Sequence, residues 1–201
     1  MATSDLLTPR GQVTVGLVPL RHELVAISSR SGQGQTIWSD DERALWAAEI
    51  DATSSVVAVL TSDAASAVAW SVGFIPVDGG DIIDIRLGNA SGSEHHPDAV
   101  VGGRGGIAWL PDSGSVVVSM PTGGLLQVYP DGSQVRLAPA SRAKRPAAVA
   151  LSADGNAIAY VEQPSGSDGS GIYAGSMRAK PIDPIVVLAP DRSGNRYARG
   201  V

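Results

Sequence analysis

Two stretches of this chain read as the same unit. Ile107-Ala-Trp-Leu-Pro-Asp-Ser-Gly-Ser-Val-Val-Val-Ser119 and Val149-Ala-Leu-Ser-Ala-Asp-Gly-Asn-Ala-Ile-Ala-Tyr-Val161 both run apolar strand, Asp/Gly turn, apolar strand. Their turn aspartates, Asp112 and Asp154, stand 42 residues apart, and a further strand–turn–strand follows each. Four short strands recurring every 40–45 residues are the sequence signature of a β-propeller blade.

The clearest blade spans about residues 105–139, with strands expected over 107–110, 116–120, 125–129 and 134–137. Tyr129-Pro-Asp-Gly-Ser133 closes it with a turn whose chemistry is explicit. Pro presets φ, Asp bonds its own backbone, and Gly takes positive φ. The next blade spans about 147–189, with strands over 148–151, 157–162, 171–175 and 185–188. Here Gly155 is expected in a tight turn. Before residue 105 the blades are less regular. Strands are expected over 47–50, 56–60, 67–72 and 81–87, and earlier over 12–18 and 24–28.

Turn positions near Arg21, Asp51, Asp112 and Asp154 are spaced by 30, 61 and 42 residues. Either the first blade is shortened and the second carries the polar insertion 88–98, or the register slips before residue 60. A β-sandwich also shows strands at such intervals, but recurrence of the turn at a blade-sized period favours the propeller. The expected fold is therefore all-β. Blades of four antiparallel strands, about three to four of them, form one domain over 1–201 and an incomplete ring. The chain stops at residues 195–201, which read as the opening strand of another blade. It is thus expected to be a fragment or to need a partner chain, with self-association through open blade edges.

Composition agrees. The chain has 24 Gly and 13 Pro, which suits many tight turns, and only 4% aromatic residues. The net charge of −5 speaks against a nucleic-acid role. Of 15 cationic side chains only Lys144 and Lys180 are lysine, a bias read as genomic. No cysteine is present, so disulfides and thiolate metal sites are excluded. The N-terminus does not read as a signal peptide, and no apolar run reaches the length of a membrane span.

Candidate chemistry is sparse. Glu94, His95, His96 and Asp98 are the one cluster of metal-ligand types, but neighbours on an extended strand point to opposite faces. The segment is read as a solvated loop, without metal or cofactor. Gly169-Ser-Gly171 and Gly88-Asn-Ala-Ser-Gly92 are loop sequence with no helix to build a nucleophile elbow. Arg30-Ser-Gly-Gln-Gly-Gln-Thr-Ile-Trp38 lacks the Ser and Asp of a sialidase Asp-box. Gly102-Gly-Arg-Gly-Gly106 lacks the ending of a phosphate loop and precedes a strand. Four residues remain as partner contacts. Trp38, beside Asp40 and Asp41, is expected near a surface, and Arg142, Lys144 and Arg145 make a small basic patch.

Ser152-Ala-Asp-Gly-Asn-Ala-Ile-Ala-Tyr160 and Gly171-Ile-Tyr173 resemble TolB-type, WD40-like propeller repeats, with Ala153 where Pro is usual. Leu110-Pro-Asp-Ser-Gly-Ser-Val-Val-Val118 resembles them with an extra Ser113 in the turn. The resemblance covers about residues 105–189. It implies a binding platform of the bacterial envelope, or a domain fused to a prolyl-oligopeptidase-type hydrolase whose catalytic part lies outside these residues. It carries no catalytic residues and gives the turn Asp a structural role. The function expected is a non-catalytic module for a protein partner.

Overall fold

The computed structural model describes residues 13–18, 23–28, 31–63, 69–89, 106–111, 114–119, 124–138, 144–164 and 171–188. Every regular element among them is a strand, and the strands make four antiparallel sheets. Contacts divide the chain into two compact units, Met1–Ser91 and Gly92–Val201, each holding two sheets.

In the first unit, β1 (Val13–Val18), β2 (Glu23–Ser28) and β3 (Gly34–Ser39) form a three-stranded meander. β4 (Arg43–Ile50), β5 (Val56–Asp63), β6 (Ala69–Pro76) and β7 (Ile83–Asn89) form a four-stranded one. The irregular turn spacing is thereby resolved. Among the described residues the first blade shows three strands, and in sequence residues 90–105 lie between the second blade and the third.

The two middle strands of the second blade are buried along nearly their whole length, on both faces. That is why Val56-Val-Ala-Val-Leu60 is an unbroken apolar run rather than an alternating one. One face of this blade packs Ala48, Ile50, Val57, Val59 and Ile75 against Leu24 and Trp38 of the first. Each large aliphatic side chain buried there contributes about 1.5–3 kcal/mol.

The second unit repeats the plan. β8 (Ile107–Trp109), β9 (Val116–Ser119), β10 (Leu125–Val128) and β11 (Gln134–Ala138) make the third blade. β12 (Lys144–Leu151), β13 (Ala157–Pro164), β14 (Gly171–Ser176) and β15 (Ile185–Leu188) make the fourth. Val117, Leu125 and Leu137 of the third blade meet Ile158, Tyr160, Tyr173, Met177 and Ile182 of the fourth. Tyr160 and Tyr173 are cross-strand partners whose rings stack with centroids 5.7 Å apart, a pairing that stabilises an antiparallel ladder.

The inner strands β4 and β12 share a register shift at the same place, at Trp46 and Ala147. Counting from that bulge, Ile50 corresponds to Leu151 and Asp51 to Ser152. The fold is all-β, built of propeller blades, and among the described residues no helix is long and apolar enough to cross a membrane.

Candidate functional site

The blade turns concentrate polar side chains, so their chemistry is considered first. In the β12–β13 turn the Ser152 amide donates to the Ala157 carbonyl, and the Gly155 amide to the Ser152 carbonyl. Gly155 has φ +68°, as expected for the turn. Asp154 Oδ1 accepts from the Asn156 amide at 3.0 Å and from Ser152 Oγ at 2.5 Å, and Oδ2 accepts from Asn156 Nδ2 at 2.9 Å. The Asn156 side chain, then the Ser152 hydroxyl and the Asn156 amide, hold this carboxyl well below the usual carboxylate range.

The β4–β5 turn has the same backbone with its polar pair exchanged. The Asp51 amide donates to the Val56 carbonyl and the Ser54 amide to the Asp51 carbonyl. Asp51 occupies the Ser152 position, and Thr53 that of Asp154. Asp51 Oδ1 accepts from the Val56 amide at 3.0 Å, where Ser152 Oγ accepts from the Ala157 amide at 2.9 Å. Thr53 Oγ1 donates to Asp51, so donor and acceptor have changed places. Burial alone would raise the Asp51 pKa, but hydrogen bonds from Thr53, Val56 and Ser55 outweigh it and leave it lowered. In the β10–β11 turn Asp131 accepts from the Ser133 hydroxyl and amide, which lower its pKa in that order. These three carboxylates satisfy turn donors, and for Asp154 that is the structural role that the repeat resemblance implies.

Among the described residues, polar arrangements lie inside the second and third blades. In the second, Trp46 at the β4 bulge donates Nε1–H to buried Ser62 Oγ at 2.7 Å, and its ring meets that of Trp70 at 5.3 Å. In the third, buried Gln127 donates Nε2–H to Ser115 Oγ at 3.0 Å and accepts from Lys180 Nζ at 2.7 Å. At the surface Arg43 pairs with Asp84 at 2.5 Å and with Asp40 at 3.5 Å. Exposed pairs of this kind contribute about 0–1 kcal/mol.

The expected partner contacts fare unevenly. Trp38 is 8% exposed and pairs with Leu24 in the core between the first two blades, which corrects its placement near a surface. Its acidic neighbours Asp40 and Asp41 lie past the end of β3, while the indole itself takes the strand's inward position. Arg142 and the side chains of Lys144 and Arg145 lie outside the described residues. So do Glu94, His95, His96, Asp98 and Asp112. Among the described residues no three His, Cys, Asp or Glu side chains are grouped so as to hold a metal ion.

Outer strands distinguish the blades more than any turn does. After an exposed Ile83, β7 alternates exposed Asp84 and Arg86 with buried Ile85 and Leu87, and β11 exposes Gln134 and Arg136. β3 exposes Gly34, Gln35 and Thr36. β15 differs: Ile185, Val186 and Val187 are 68%, 57% and 60% exposed, and among the described strands it forms the edge of its sheet. Sequence reading placed this strand correctly but had no signal for its exposure, since an apolar run reads as buried.

No protein-family description matches the chain, and no curated protein does. Solved structures do. TolB from Acinetobacter baumannii aligns with a TM-score of 0.60 at 17% identity, over 88% of this chain and 40% of that one. A prolyl endopeptidase aligns at 0.60 and 15%, over 96% and 30%. An oligogalacturonate lyase in complex with manganese aligns at 0.63 and 11%, over 91% and 52%. The chain thus spans about half the length, or less, of the structures it matches. At these identities the likeness speaks for the fold alone, and that fold is a TolB-like β-propeller.

Proposed function

We propose that this chain is a non-catalytic propeller module, one domain over 1–201, that binds a protein partner by strand addition at β15. The observation that carries the reading is the contrast between edges. Unpaired edges recruit other strands, and proteins blunt them with charge or polarity. β3 and β11 are blunted in this way, and β7 is blunted by Asp84 and Arg86 beyond a single exposed Ile83; Ile185-Val-Val of β15, three exposed apolar residues in a row, is not. An extended partner segment rich in β-branched residues would continue the β15 ladder and cover these side chains. Commitment of Asp51, Asp131 and Asp154 to turn donors supports a scaffold role. Arg142, Lys144 and Arg145, at the start of the same blade, are proposed as a second contact, for acidic groups on the partner. The same open edge would support self-association.

A photo-cross-linking residue placed at Val186 or at Arg136 tests this. A discrete adduct is expected from position 186 alone, and light scattering with Val186→Lys reports whether the adduct is a second copy. Equal or absent adducts at both positions would remove the reading.

A second reading, an accessory propeller of a larger prolyl-oligopeptidase-like hydrolase, is supported by the likeness to a prolyl endopeptidase over 96% of this chain. The reading frame surrounding these residues discriminates. A contiguous hydrolase segment would decide for the enzyme, and binding at β15 would then serve its assembly.

A further inference from the structure

The connection from β14 to β15 does more than join two strands. Its start is tied to its own blade: the Met177 amide donates to the Asn156 carbonyl, and Arg178 Nε donates to Asn156 Oδ1 at 3.1 Å. Its far part is tied to the third blade. The Ile182 amide donates to the Leu137 carbonyl at 2.7 Å, and the Ile182 side chain is buried beside Leu137, Ala138 and Met177. Gly175 makes room for it, because a Cβ there would stand 2.2 Å from Ile182 Cγ2. Between these ties, Lys180 sends its ammonium to Gln127 Oε1. Gln127 is 2% exposed, and its amide is oriented by Ser115.

We infer that residues 177–183 form a strap that closes the fourth blade on the third, with Ile182 as its apolar anchor and Lys180 as its releasable latch. Anchor and latch differ in kind. The anchor is an apolar side chain packed among buried residues of both blades. The latch is one charge-assisted hydrogen bond from a side chain rooted at an exposed position, so it opens at lower cost.

The choice of lysine fits. A single buried carbonyl oxygen suits a compact ammonium on a flexible stem. A planar guanidinium fork suits paired acceptors. In a chain with 15 cations and two lysines, this position departs from the compositional bias for a geometric reason. Releasing the latch leaves a buried amide oxygen without this donor, and frees the strap to lift from Leu137.

Amide hydrogen exchange on the whole chain tests the inference. Lys180→Met should speed exchange at Ile182 about tenfold, the loss of one such bond, and leave the β12–β13 amides unchanged. Gln127→Leu should do the same, and the double variant should exceed neither single one. An unchanged Ile182 amide in Lys180→Met would overturn the latch. So would additive effects in the double variant, or equal acceleration throughout the unit.

Discussion

Gly155→Val offers a quantitative test of the blade turn. Gly155 sits at φ +68° in the β12–β13 turn. An L-residue held in the left-handed region costs about 1–2 kcal/mol, with the upper end expected for a β-branched side chain. A second cost comes from the neighbouring blade. The new Cβ would stand 3.2 Å from Pro111 Cδ, so the Pro111 ring must yield by a few tenths of an ångström. Together these give a destabilisation of about 2 kcal/mol, or a midpoint shift of about 1 M urea at a slope of about 2 kcal/mol per M. The chain contains its own control. Ser54 occupies the equivalent position in the β4–β5 turn, with φ 60°, so a side chain is compatible with this backbone at a cost. Ser54→Gly relieves that strain but frees the unfolded chain, and its midpoint should move by less than half as much. The assay is urea unfolding followed by circular dichroism, with Gly155→Val repeated in a Pro111→Ala background. The contact cost should disappear there and the conformational cost remain. An unchanged midpoint for Gly155→Val, or equal shifts in both backgrounds, would refute the respective half of the reasoning.

Two further substitutions follow from polar groups in the blades. Thr61 is 1% exposed and its hydroxyl has no hydrogen-bond partner among the described residues, so Thr61→Val should stabilise by about 1 kcal/mol; Ser62→Ala, which strips Trp46 Nε1 of its acceptor, should shift the urea midpoint the other way. Asp154 has a folded-state pKa below its unfolded one, so the unfolded chain binds the extra proton and this contribution is complete above about pH 4 and fades as the pH falls further. Asp154→Asn should therefore flatten the acid limb of a melting-temperature profile, and an unaltered limb would count against the turn hydrogen bonds.

The fold was legible where hydrophobic pattern and turn chemistry agreed. β8 to β11 follow the expected strands to within a residue or so because Pro-Asp-Gly and related turns bound short apolar runs on both sides. β3 was not legible. Gly34-Gln-Thr is polar and exposed, and only Ile37 and Trp38 carry the inward pattern, too little to reveal a strand. Its absence from the sequence reading also misplaced Trp38, whose burial depends on Leu24 and on the facing blade. The strap around Ile182 was equally hidden. Its two ties to the third blade join residues 45 and 53 positions apart, and no local pattern encodes such a pairing.

The exchanged polar pair explains why the repeat was clear at Asp154 and blurred at Asp51. The turn needs a hydroxyl–carboxylate hydrogen bond and an acceptor for the first amide of the next strand. Ser152 with Asp154 meets both needs, and so does Asp51 with Thr53, because the hydroxyl can donate to the carboxylate from either position. The turn thus depends on the pair rather than on either residue type alone. Aligning aspartate with aspartate shifts the second blade by two residues; aligning backbone with backbone restores Ser54 to the place of Gly155. That restored register predicts the positive φ that both residues have, although neither Ser nor Thr would announce it in the sequence.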